Sequence, residues 1–280
     1  MAIVSHNRLD TALSMIGPLE PQLNDELAIV KLRDLHIEAL RSCARKNGSD
    51  VVSTKVLKRL GNILCAVALL KEPATVSILT ELLGVSRGKL TTHLDALRAA
   101  GLLAPATTTA LDIRTSHFSV HDHVTKGVHD HFKLDHHGLA RRCLALLNEH
   151  LCPDICGMRN FTLANSDLPN FSSRLEERVS SAMSYASQHV LEHLASGRCP
   201  SDELRKELFS FCTRHLHRWL ELESLLHQIP AALLQLREAL VWCSVSHLNL
   251  TLSSLIAETF SATYAFGGDD QVPRVAQRRI

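Results

Sequence analysis

Aromatic side chains are scarce in this 280-residue chain, at 4%, while apolar residues reach 45% and leucine leads them. Sheets lean on aromatic and β-branched residues, so a leucine-rich, aromatic-poor composition points to packed helices. Long apolar runs are also missing: stretches such as Cys65–Leu70 fall far short of a bilayer span. No secretory leader is visible, since Met1–Val4 is followed at once by polar sequence. Together these absences predict a cytoplasmic protein with no membrane contact. No C-x-x-C pair occurs among the eight cysteines, which are expected to be reduced, small buried apolar groups rather than a disulfide framework. An excess of either charge is lacking too. Thirty Lys and Arg stand against 29 Asp and Glu, a net charge of +1, so no global electrostatic case for nucleic acid follows.

A complete winged helix-turn-helix can be read between Val51 and Phe132. A long helix, Thr54–Leu70, with Val56, Leu60, Ile63, Val67 and Leu70 inward, leads into it. Thr75 caps a short helix with Val76, Leu79 and Leu82 or Leu83 on one face, and Gly84 supplies a left-handed exit. Ser86 caps a second helix whose Leu90, Leu94 and Leu97 share a face, with Gly101 closing it. Leu102–Leu103 and Leu111–Phe118 then alternate as the two strands of a β-hairpin wing.

Around this unit the chain is helical. Residues 1–50 form an N-terminal helical segment in which Leu23–Cys43 sets Leu27, Val30, Leu35, Ile37 and Leu40 among charges. A helix is expected over Ser119–Phe132. Residues 133–266 read as a helical bundle domain: a helix opening at Asp135 and stopping at Cys152-Pro153, a loop from Gly157 to Ser173, then one helix through Leu175, Val179, Ala182, Ala186, Val190 and Leu194. Further helices run past Trp219 and Pro230 to about Phe266, and residues 267–280 read as a frayed tail. The fold class is therefore mainly α: a winged helix-turn-helix with a small β-hairpin wing at 51–132, followed by an irregular bundle or superhelix.

Several stretches, in order along residues 30–245, resemble the recurrent blocks of the fungal NACHT-type signalling ATPases, relatives of the nucleotide-binding oligomerisation proteins of innate immunity and vegetative incompatibility. They are Gly61–Pro73, Leu82–Val85, His117–Thr125, Leu139–Leu151 with Ile155-Cys156, Ser184–Ser187 and His215–Leu225. The resemblance implies the winged-helix and helical portion of such a protein, acting as a non-catalytic regulatory module that couples nucleotide state to a conformational switch. Its expected partners are proteins: a NACHT ATPase core in trans, or further copies of itself. No ATPase core accompanies it, since G-x-x-x-x-G-K-[ST] does not occur. The nearest string, Gly84–Thr91, is one residue short and has Leu90 where a metal-binding hydroxyl belongs. No enzyme activity and no cofactor are expected of the chain itself, ADP or ATP entering only with a supplied core. The resemblance makes His117 the residue that would sense nucleotide phosphates.

The residues themselves suggest two other chemistries. Seven histidines fall between His117 and His137, but no cysteine or carboxylate completes a ligand pattern, so no metal is expected. The second helix of the turn motif carries Arg87, Lys89, His93 and Arg98 against Asp95, a mildly basic face suited to a major groove. The wing segment offers only Arg114, beside Asp112, where phosphate clamping needs several cations. Nucleic acid is thus not the expected partner, and a DNA-binding winged-helix transcriptional regulator stands as the alternative.

Overall fold

The computed structural model describes residues 23–45, 52–106, 112–126, 132–157, 170–197 and 201–245, with 254 and 257–258. The expected N-terminal turns, the loop centre at 158–169 and the tail at 267–280 lie outside them. The chain divides into two units, Met1–Asp135 and His136–Ile280. Eleven helices are defined among the described residues, none of them long and apolar enough to cross a membrane.

The first unit holds α1 (Leu23–Ala44), α2 (Thr54–Leu69), α3 (Val76–Leu83), α4 (Arg87–Ala99) and α5 (Phe118–Thr125). α2 starts where the Ser53 hydroxyl accepts from Val56 N, and it buries Leu57, Leu60, Ile63, Leu64, Cys65, Ala66, Ala68 and Leu69. Burial runs most of the way round this helix, while Val56, Val67 and Leu70 are half-buried rather than inward. In α1 only Ile37 and Leu40 of the expected apolar set are seen buried; Val30 and Leu35 stand exposed, and the buried position between is taken by His36.

The wing is not built as expected. Leu102–Leu103 and Ile113–Thr115 approach, but only through an isolated antiparallel bridge, Leu103 to Thr115, with Ala104 N donating to Arg114 O and Ser116 N to Leu102 O. Ile113 N turns away and donates to Ala74 O at 2.7 Å, ahead of α3. Pro105, with no amide to donate, follows on the first arm. A ladder therefore does not extend, and no strand is defined among the described residues. The helix expected at Ser119–Phe132 is shorter: α5 ends at Thr125, and Phe132 is non-helical and buried.

The second unit holds α6 (His136–His150), α7 (Phe171–Arg178), α8 (Ser181–Ser196), α9 (Asp202–Arg214), α10 (Leu216–Leu225) and α11 (Ile229–Val245). The single helix expected through Leu175 and Leu194 is two. Val179 is extended at φ −114°, and the Ser180 hydroxyl caps α8 by accepting from Met183 N at 3.1 Å. A local serine–backbone bond thus beats continuation of the apolar period. α8 packs on α6, α10 and α11, burying Ala182, Met183, Tyr185, Ala186, Val190, Leu191 and Leu194. Arg141 of α6 clamps Glu207 of α9 through both carboxylate oxygens.

Candidate functional site

Thr75, with φ −114°, caps α3 by accepting from Ile78 N at 3.2 Å. Gly84 ends that helix at φ 60°, a left-handed position favouring glycine, and Val85 N closes the turn on Thr80 O at 3.1 Å. The chain can then start α4 after only two residues. Leu90, Leu94 and Leu97 seat α4 with no exposed surface, against the same core that holds Leu79 and Leu82. Fully burying each such leucine contributes roughly 1.5–3 kcal/mol, so the rotation of α4 about its axis is firmly set.

That rotation decides which side chains face outward. At roughly 100° per residue, Gly88, Thr92 and Asp95 lie opposite the leucines; Arg87, Thr91 and Arg98 occupy one flank, Lys89 and His93 the other. Arg87, Gly88, Lys89, Thr92 and Asp95 are exposed. Ser86 stands at the N-cap position, but its side chain makes no cap hydrogen bond, which leaves the first-turn amides of an exposed helix start open to an acceptor.

The four cations anticipated on this helix are not equivalent. Arg87 and Lys89 project at its start. Arg98 is three-quarters buried, with Nη1 on Asp95 Oδ1 at 3.1 Å. His93 is half-buried, and burial, then the nearby Arg59, push its imidazole below its ordinary value, which disfavours its charged form. Arg114 on the second wing arm is paired with Asp112 at 3.1 Å. The near-zero net charge of the chain also hides a local surplus: residues 52–126 contain nine Lys and Arg against five Asp and Glu.

His117 sits elsewhere, at the N-cap of α5. Its Nδ1 accepts from Ser119 N at 3.1 Å and lies 3.0 Å from Ser119 Oγ. Ser119 Oγ in turn lies 3.4 Å from His36 Nε2, and His36 Nδ1 lies 3.2 Å from His123 Nδ1. Burial, then the neighbouring His117, push His36 down to about 4. The His36–His123 pair was not anticipated. Nothing local marks His36, whose partner stands 87 positions away. Of the other histidines, His121 lies against Phe118, and His129 and His131 fall outside the described residues. Among the described residues no group of three or more His, Cys, Asp or Glu could hold a metal ion.

In the second unit His136 Nδ1 lies 2.9 Å from His193 Nδ1, and Tyr185 OH lies 2.7 Å from His193 Nε2. Glu223 is fully buried on α10, where it accepts from the Ser187 hydroxyl, and Trp219 Nε1 donates to Ser187 O at 2.9 Å. Burial raises both Glu223 and Glu221 to about 7, with Asp154 adding to the effect at Glu221. Sequence spacing gave no hint of these carboxylates, because Glu221 and Glu223 flank an apolar position of an amphipathic helix and look like its solvated side.

Comparison with known proteins bears on α2 to the first wing arm. No curated protein and no solved structure matches the chain. Residues 62–104 match a helix-turn-helix family described as bacterial regulatory protein, arsR family. This overturns the resemblance to the NACHT-type signalling ATPases, with the innate-immunity and incompatibility roles it implied and the ground for giving His117 a phosphate to sense. The blocks that carried it are largely leucine-spaced amphipathic helix, a pattern any helical bundle produces. It equally corrects the expectation of a protein partner in place of nucleic acid, because the matched segment is similar to the helix-turn-helix of a regulatory family and spans the second half of α2, α3, the Gly84 turn, α4 and Leu102–Ala104.

Proposed function

We propose that this chain is a DNA-binding regulator of the winged-helix type that places α4 in the major groove of a duplex, and that it acts by binding and not by catalysis. The observation that carries the reading is the match of residues 62–104 to the arsR family of regulators. Three features support it. α4 is held by three fully buried leucines and presents its opposite face outward. Arg87 and Lys89 flank that face at the helix start, where the uncapped amides and the helix dipole also favour phosphate. The local surplus of cations lies in the same unit.

The test is fluorescence anisotropy of the full chain with a pool of 30-base-pair random duplexes across a salt series. Binding at about 50 mM salt is expected, weakening as salt rises. Arg87→Ala and Lys89→Ala should each flatten the log–log salt slope by about 0.9. Absence of duplex binding at the lowest salt overturns the reading.

A further inference from the structure

We infer that Thr91 and Thr92 determine sequence preference by offering methyl groups to thymine, an inference that rests on the DNA-binding reading above. Both hydroxyls are already committed. Thr91 Oγ1 donates to Arg87 O at 2.7 Å, with Gly88 O at 3.1 Å, and Thr92 Oγ1 donates to Gly88 O at 2.9 Å. A threonine whose hydroxyl donates back to its own helix has no proton left for a base acceptor, so what it offers a partner is its methyl and the remaining lone pairs of its oxygen.

A second observation concerns the space beside those methyls. Helical side chains lean toward the N-terminus, so residues 91 and 92 overhang position 88. That position is Gly88, and a Cβ there would find no atom within 4 Å. Position 88 is therefore open space on the outer face of α4, where a base could approach the helix backbone beside the two threonines.

In the major groove only one base edge carries an apolar group, the C5 methyl of thymine. The groups that read purines by paired hydrogen bonds are absent from the centre of this face: no Asn, Gln or Arg lies among Gly88, Thr92 and Asp95. Asp95, tied to Arg98, is an acceptor: it is compatible with the N6 donor of adenine or the N4 donor of cytosine, and not with the N7 and O6 acceptors of guanine. The methyls, beside the open position at Gly88, favour thymine under the first two turns of α4, while Asp95 disfavours guanine there.

The experiment selects tight-binding duplexes from the random pool with the full chain, then compares a selected duplex with the same duplex carrying uracil in place of thymine. Uracil removes the C5 methyl and keeps the hydrogen-bonding edge and the phosphates. Wild type should bind the uracil duplex roughly four-fold more weakly per contacted methyl, since one buried carbon is worth about 0.8 kcal/mol. Thr91→Ser with Thr92→Ser keeps the bonds to Arg87 O and Gly88 O and removes only the methyls, so this variant should bind thymine and uracil duplexes alike. The double-mutant comparison cancels any general effect of uracil on duplex shape. A thymine-to-uracil ratio equal in wild type and variant overturns the inference and leaves DNA binding standing, as does a selected duplex without thymine under α4. Failure to retain any duplex from the pool overturns both.

Discussion

Replacing Glu223 by Gln should make the second unit more stable at neutral and alkaline pH and remove much of its pH dependence. Glu223 has no exposed surface, and burial lifts its carboxyl from 4.5 to about 7, while the bond from Ser187 pulls weakly the other way. An acid whose folded value lies above its unfolded one binds more protons in the folded state between the two. Its contribution is fully present below pH 4.5 and is lost as pH rises through about 7. Two and a half pH units at about 1.36 kcal/mol each set the scale of the loss at about 3 kcal/mol. Glu221 acts in the same direction, since burial and the nearby Asp154 raise it while Arg218 opposes them. Urea unfolding at pH 5, 6, 7 and 8, followed by tryptophan emission, measures this where it arises. Both tryptophans of the chain, Trp219 and Trp242, belong to the second unit, and Trp219 bonds the same Ser187 residue that caps Glu223. Wild type should lose stability from pH 5 to 8. Glu223→Gln has the same shape and cannot ionise, so its profile should be flatter, with the gap widest at pH 8. Parallel profiles for the two proteins would refute the assignment of the pH dependence to Glu223.

The first unit should respond to pH in the opposite sense. His36 is held near 4 by burial and His117, below its ordinary 6.5, so the stability it lends is present above pH 6.5 and is lost as pH falls through about 4; hydrogen exchange of α1 and α5 amides between pH 7 and 4 should register it, and His36→Phe should blunt the acid loss. Gly197→Ala should destabilise the second unit by roughly 1–3 kcal/mol in urea, because the added Cβ falls 1.8 Å from His137 Nε2 and the ring must move. Ser180→Ala removes the cap of α8 at the break after α7 and should cost about 1 kcal/mol by the same tryptophan readout, with Ser180→Asp recovering most of it.

Helix identity was legible wherever a cap, an apolar period and a stop coincided. Thr75, the leucines at 79 and 82, Gly84 and the leucines at 90, 94 and 97 form such a run, and there the structure follows the sequence closely. It departs where one local bond overrides a period, as when Ser180 divides what Leu175 to Leu194 spaces as a single helix. The wing shows the converse error. Alternation in Leu111–Phe118 is compatible with a strand, yet whether it pairs depends on where Ile113 N finds an acceptor, and that acceptor, Ala74 O, is supplied from before α3. Candidate-site residues were legible by type and not by orientation. Arg87, Lys89, His93 and Arg98 read as one basic face, but helical geometry about the buried leucines puts His93 partly inside and Arg98 onto Asp95. Buried polar pairs such as His36–His123 and Ser187–Glu223 were invisible, since a polar residue's burial depends on a partner tens of positions away.

The same sorting of cations bears on how strongly this surface should depend on salt. With Arg98 and Arg114 held by Asp95 and Asp112, Arg87 and Lys89 are the exposed cations of α4 without an ion pair among the described residues. Two phosphate contacts give a log–log slope near −1.8, or about twelve-fold weaker binding between 50 and 200 mM salt, where six to ten contacts would give a thousand-fold or more. A shallow slope together with a marked thymine preference would mean that contacts to base edges carry an unusual share of the recognition. A slope of about −4 or steeper would require other cations to join, with Lys55 and Lys58 exposed on α2 and Arg114 released from Asp112 as the candidates. Neutralising Asp112 separates these cases: Asp112→Asn frees Arg114 and should steepen the slope by about 0.9 only if the second wing arm lies along the backbone of the duplex.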